Sequence, residues 1–186
     1  MTILGNTTYP SSVDYYPAGF AAFMRLQVPA NSTMTKIGGW ASSNASITTQ
    51  AFRFEAYRGT STAGNGSRFY LSPSNIALTA QAATVYEETP SSPPSLTEDE
   101  YIWVGAVSMV TSAVGFHYDN STGDRIIDYD YDGGDTPSPD PLTGGSATYY
   151  DDYRYGFWIE YTVGGSSYTL TAETRGHTLT GQTTGT

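Results

Sequence analysis

Phe20-Ala21-Ala22-Phe23-Met24-Arg25-Leu26-Gln27-Val28 and Tyr101-Ile102-Trp103-Val104-Gly105-Ala106-Val107 are the two stretches on which the fold turns. The first puts Phe20, Ala22, Met24, Leu26 and Val28 at alternate positions, with Arg25 and Gln27 between them. A side-chain period of two belongs to a strand with one face against a core. The second stretch is apolar on both faces, as a strand in the middle of a sandwich must be. Phe52-Phe54-Ala56, alternating with Arg53-Glu55-Tyr57, reads as another interior strand. Further strands are predicted over Lys36 to Ala41, Arg68 to Leu71, Thr84 to Glu88, Val114 to Tyr118, Arg125 to Tyr129, Gly156 to Val163 and Tyr168 to Ala172. That makes about ten, separated by Gly, Asn, Pro and Ser clusters. Helical periodicity is almost nowhere sustained. The fold class predicted is all-β: a two-sheet antiparallel β-sandwich of jelly-roll type.

Composition narrows the function classes. The 186 residues suit one compact domain, and only 14% are charged, unlike a helical bundle. Eight basic against eighteen acidic residues leave a net charge of -10, which repels a phosphate backbone and argues against nucleic acid. The absence of cysteine excludes disulfides, thiolate zinc sites, iron–sulfur clusters and cysteine nucleophiles. Met1 opens a stretch with neither a basic nor an apolar leader region, so no secretory signal is expected. The longest apolar run, Ile102 to Val107, falls far short of the ~20 residues of a membrane helix.

Three loops are long: Ser61 to Ser67, Thr89 to Leu96 with Pro90, Pro93 and Pro94, and Asp130 to Ser146 with Pro137, Pro139 and Pro141. The expected organisation is a sandwich over residues 1–163, then a strand and a Gly- and Thr-rich tail over 164–186. The plain reading of this end is a last strand followed by a loose tail; the sharper one is an assembly arm that adds a strand to a neighbouring subunit.

Several stretches, in order, resemble a family of jelly-roll modules found in bacterial secreted and surface proteins and in tailed-phage virion proteins. They are Leu4-Gly5-Asn6-Thr7-Thr8, Phe23-Met24-Arg25-Leu26, Met34-Thr35-Lys36-Ile37, Phe52-Arg53-Phe54-Glu55-Ala56-Tyr57 and Tyr101-Ile102-Trp103-Val104-Gly105. Gly115-Phe116-His117-Tyr118-Asp119, the acidic Gly-Pro loop from Tyr131 to Leu142, and Trp158-Ile159-Glu160-Tyr161-Thr162 complete the series. The resemblance runs from residue 3 to about 163, and it implies a fold more firmly than an activity. The Pro90 to Pro94 insertion and the tail after Val163 depart from the family pattern and fit a free-standing module that assembles onto something larger.

Two constellations carry possible chemistry. Asp128, Asp130, Asp132 and Asp135, with Gly133, have the alternate-carboxylate spacing of a calcium loop. Pro139 stands where an EF-hand would place its bidentate glutamate, so a looser calcium site, completed by Asp140 or a carbonyl, is the reading left. The plainer one is an acidic strand end. The second is the aromatic strip from Tyr149 to Trp158 beside Tyr129 and Tyr131, with Tyr129, Tyr131, Tyr149, Tyr153 and Trp158 as candidate stacking residues for a glycan or a partner. Strand-forming tyrosines alternating in and out of a sheet are the competing explanation. Trp40 and Trp103 read as core.

Catalytic signatures are missing. His117 lies inside a strand and His177 in the tail, and no G-x-S-x-G, H-E-x-x-H or P-loop motif occurs. The carboxylate pairs Glu87-Glu88, Asp99-Glu100 and Asp151-Asp152 are chain neighbours that point to opposite faces of a strand. Five N-x-[ST] sequons, at Asn6, Asn31, Asn44, Asn65 and Asn120, read as turn chemistry. The function expected is therefore a non-enzymatic virion structural protein of a tailed phage, a capsid decoration, minor capsid or fibre protein on the particle surface. Its expected partners are capsid or tail proteins and further copies of itself, with host glycans possible, no nucleic acid, no membrane and no required cofactor. The alternative is a carbohydrate-binding module or adhesin domain of an extracellular or surface protein.

Overall fold

The computed structural model describes residues 1–43, 50–60, 66–96, 100–109, 114–120, 126–130, 136–142 and 146–164. In chain order these form β1 (Thr2–Gly5), β2 (Ser12–Tyr16), β3 (Phe20–Val28), β4 (Ser32–Ser43), β5 (Ala51–Gly59), β6 (Arg68–Leu71), β7 (Ile76–Ala77) and β8 (Thr84–Glu88). They continue as β9 (Ser95–Leu96), β10 (Glu100–Ser108), β11 (Val114–Asn120), β12 (Ile126–Asp130), β13 (Ser146–Tyr150), β14 (Tyr153–Tyr155) and β15 (Phe157–Val163). No helix occurs among the described residues. Two antiparallel sheets result. The first runs β1-β15-β4-β11-β14, with β2 on β11 and with β8 and β9 on β4; the second runs β13-β12-β3-β10-β5-β6, with β7 on β5.

The all-β, two-sheet arrangement agrees with the alternation in the sequence, and β3, β6 and β8 span the stretches predicted for them. Where alternation predicts about ten strands, the described residues form fifteen. The additional ones are short or lie at sheet edges, such as β2, whose Asp14 and Tyr15 face solvent. An edge strand needs little apolar patterning because only one of its sides is paired. The predicted strand Tyr168 to Ala172 and the tail beyond it lie outside the described residues.

The main core fills the space between the sheets. β10 contributes Ile102, Val104 and Ala106, β3 contributes Ala22, Met24, Leu26 and Val28, and Phe52, Phe54, Phe116 and Phe157 meet among them. Phe52 is edge-on to both Phe54 and Phe116, at centroid distances of 5.2 and 6.0 Å, the arrangement aromatic quadrupoles favour. β10 is apolar on both faces because the outer face of its sheet is covered as well. Trp103 and Val107 project there into a second cluster with Ala21, Phe23, Tyr57, Met109, Tyr129 and Leu142.

Leu142 belongs to the end of the acidic Gly-Pro loop, and a buried polar clasp holds that end in place. Glu55 on β5 is fully buried and accepts hydrogen bonds from the Ser138 amide at 3.0 Å and from Arg68 Nη1 at 3.4 Å. Arg68 Nη1 also donates to the Ser138 carbonyl at 2.7 Å, and Tyr57 Oη donates to the Pro139 carbonyl at 3.0 Å. The Arg68 amide donates to Asp140 Oδ1 at 2.7 Å. Burial raises the Glu55 carboxyl to about 7, against the opposing pull of its Ser138 hydrogen bond and the Arg68 charge. Burial likewise raises the Tyr57 phenol.

On the outer face of the first sheet, Trp158 is not a free platform: it is 3% exposed, with its indole laid flat over Gly38. A Cβ at Gly38 would come within 2.4 Å of the ring, so only glycine leaves room for it. Trp40, read as core, is half-exposed instead. Its indole donates to the Thr7 carbonyl at 3.1 Å, and its ring lies 5.1 Å from that of Tyr9.

Candidate functional site: a tyrosine cleft at the sandwich flank

The aromatic strip from Tyr149 to Trp158 is not one surface. Strand alternation sends Tyr149 to the outer face of the second sheet, where its ring stands edge-on to Trp103 at 6.1 Å. Tyr150 and Tyr153 flank the short turn at Asp151 and Asp152 and meet edge-to-face at 5.7 Å and 88°. Tyr153 then meets Tyr118 of β11 at 5.4 Å and 79°. Tyr118 reaches Tyr155 at 5.9 Å, and the Tyr155 hydroxyl is hydrogen-bonded to that of Tyr16 inside the core. A chain of edge-on tyrosines thus runs from the interior to the open flank.

At that flank Tyr118, Tyr150 and Tyr153 enclose a cavity of about 150 Å³ together with Asp14 of β2 and Ile126 of β12. A cavity near this volume accommodates one six-membered ring. Ile126 belongs to the core and gives the cavity an apolar floor, whereas Tyr150 is 38% exposed. A carboxylate among phenolic edges accepts hydrogen bonds from hydroxyls while ring faces take C–H surface. That combination suits a polyhydroxylated ring.

Of the four aromatic candidates among the described residues, Tyr153 alone lines this cleft. Tyr129 is 2% exposed within the second cluster and Trp158 is buried over Gly38, so neither has a face to offer a ligand. Tyr131 lies outside the described residues. Asp14, Tyr118 and Tyr150 are the cleft residues that sequence reasoning missed. The Tyr149-Tyr150 doublet held the only signal, since one of two adjacent strand residues must point inward.

Of the calcium candidates, Asp132 and Asp135 lie outside the described residues, and Asp128 and Asp130 belong to β12, opposite Thr148 and Ser146 of β13. Asp140, the possible completing ligand, is engaged with the Arg68 amide. Among the described residues no three His, Asp or Glu side chains are grouped so as to hold a metal ion. His117 Nε2 lies 2.9 Å from Ser42 Oγ, the separation of a base and a hydroxyl nucleophile. Both residues are buried, at 5% and 3% exposure, and neither lines a cavity described here. Burial lowers the His117 pKa.

Two larger cavities accompany the cleft. One, of about 370 Å³, lies between β1, β3 and β14; the other, of about 260 Å³, lies between Phe69–Pro73 and Thr89–Ser92. No family model, no curated protein and no solved structure matches the chain.

Proposed function

We propose that the chain is a non-enzymatic structural protein of a tailed-phage particle, displayed on the particle surface as a decoration, minor capsid or fibre protein. The observation that carries this reading is the strand connectivity. The chain crosses between sheets from β3 to β4, β4 to β5, β7 to β8, β9 to β10, β10 to β11, β11 to β12 and β13 to β14. The resulting neighbour order β3-β10-β5-β6 is foreign to an up-and-down meander. It supports a jelly-roll topology, the fold that the family resemblance implies. A net charge of -10 suits a shell that keeps particles apart, and repeated copies on symmetric sites suit a self-associating or lattice-bound protein. Mass spectrometry of density-gradient-purified particles tests the reading: the chain should co-purify in many copies with capsid or tail proteins, and its absence from the particles would overturn it.

The tyrosine cleft favours a second, compatible reading, in which the domain binds carbohydrate at Asp14, Tyr118, Tyr150 and Tyr153. A glycan array with the isolated protein should then show sugar-selective binding that Tyr153→Ala abolishes. Binding that survives this substitution would remove the cleft from the account.

A further inference from the structure

β13 is an edge strand without the usual protections of an edge. It pairs with β12 on one side only, and among the described residues no strand lies beyond it. Ala147, Thr148, Tyr149 and Tyr150 are all exposed, so residues of both faces of the strand reach solvent at the rim of the sandwich. Along its outer side every second residue turns an N–H and a C=O away from β12. Such a row is a template for another strand, and proteins blunt it with charge, proline, a bulge or shortness. Other edges of this molecule are blunted in these ways. β6 carries Arg68 and a register shift against β5, β8 carries Glu87 and Glu88, β14 is three residues with Arg154 at its centre, and β7 and β9 are two residues each. β1 is uncharged, but Leu4 and Gly5 wall the cavity shared with β3, so its edge is turned toward that strand. Ser146-Ala147-Thr148-Tyr149-Tyr150 has no charge, no proline and no glycine.

The strand that fits this edge is its own copy. β2, Ser12-Val13-Asp14-Tyr15-Tyr16, is an edge of the same length with the same Tyr-Tyr end, yet it does not suit a second β2. A five-residue strand laid antiparallel on its copy, with every residue paired, sets its third residue against itself. On β2 that puts Asp14 against Asp14, and like charges directly opposite destabilise a pair. On β13 it puts Thr148 against Thr148, Tyr149 against Ala147 and Tyr150 against Ser146, with no charge in any pair. Each chain carries a net charge of -10, so two copies can dock only where no acid is brought against an acid, and β13 is such a place. We propose that two copies of the chain associate through β13, antiparallel about a two-fold axis at Thr148, so that the second sheet of each continues into the other. This names the surface for the self-association invoked above and rests on that part of the particle reading alone. Tyr150 of each copy, two residues from the axis, lies on the same face of the joined sheet, so the association sets two tyrosine clefts side by side.

Sedimentation equilibrium of the isolated chain over a concentration series tests the proposal, together with crosslinking of single-cysteine variants, since the chain has no cysteine of its own. The native chain should sediment as a dimer at the upper concentrations. Thr148→Lys sets two ammonium groups opposite each other and should weaken the dimer by about tenfold or more, with the far-UV circular dichroism unchanged. Mixing Thr148→Lys with Thr148→Glu makes the pair opposite in sign and should restore it. Diamide takes up the two electrons and two protons that a pair of thiols gives up on forming a disulfide. Under diamide, Thr148→Cys should give a disulfide-linked dimer, because directly opposite residues have Cα atoms about 4.5–5.5 Å apart, within reach of that bond. Ala147→Cys should lag far behind, because its counterpart lies two residues along the opposite strand, more than about 7 Å away. A monomer at every concentration, a dimer that Thr148→Lys leaves as tight, a mixture with Thr148→Glu that stays monomeric, or equal crosslinking at the two positions would overturn the assignment to β13. No particle enters these measurements, so their failure leaves co-purification with capsid or tail proteins to be judged separately.

Discussion

Replacing Glu55 by Gln should change how stability depends on pH, in a direction opposite to that of an ordinary surface carboxylate. Glu55 is fully buried and holds the Ser138 amide and Arg68, and its carboxyl is raised from 4.5 to about 7, chiefly by burial. Between those two values the folded chain holds a proton that the unfolded chain has released, so stability falls as pH rises through this window. A displacement of about 2.5 in pKa, at ~1.36 kcal/mol each, corresponds to about 3 kcal/mol lost between pH 4.5 and pH 7. The loss is complete above pH 7, where the carboxylate is ionised in both states. The amide introduced by Glu55→Gln would keep an acceptor for the Ser138 N–H and carry no titrating proton. Guanidinium melts at half-unit steps from about pH 4 to 8 should show the stability of the native chain, minus that of Glu55→Gln, falling by about 3 kcal/mol as pH rises. Parallel curves, or a difference that grows with pH, would refute the burial argument and leave the Arg68 charge as the dominant influence on Glu55.

Other positions give independent checks. Gly38→Ala forces the Trp158 indole off the sheet, at a cost of about 1–3 kcal/mol, readable as a lower melting temperature and a red-shifted tryptophan emission. Leu142→Ala strips apolar cover from the cluster of Trp103, Tyr57 and Tyr129. It should cost about 2 kcal/mol in denaturant melts and increase the quenching of Trp103 by acrylamide. Tyr150→Ala removes a ring that is 38% exposed, so stability should change by less than about 1 kcal/mol while sugar binding at the cleft falls roughly tenfold.

The legible part of the fold was the part written in alternation. β3 shows its inward residues at every second position, and the unbroken apolar run of β10 announces a strand covered on both faces. What covers the outer face was not legible, because Leu142 and Ser138 reach it only through a clasp formed by Glu55, Arg68 and Tyr57 from distant strands. Glu55 alternates with Phe54 and so reads as a solvent-facing residue, yet the returning loop buries it. The same gap explains the site. Alternation says that Tyr149 and Tyr150 part company, and only the packing of β2, β11 and β14 against one flank shows that Tyr150 joins Asp14, Tyr118 and Tyr153. Tyr129 and Trp158 looked like platform residues because strand-forming aromatics are equally at home inside and outside. Gly38, which makes room for the Trp158 indole, lies 120 positions away along the chain.

Display on a particle is most directly measured by electron microscopy of intact particles labelled with a gold-conjugated antibody raised against the isolated chain. Gold at recurrent positions on the capsid or tail is the result predicted. Particles bare of label in a preparation that contains the protein would contradict the account.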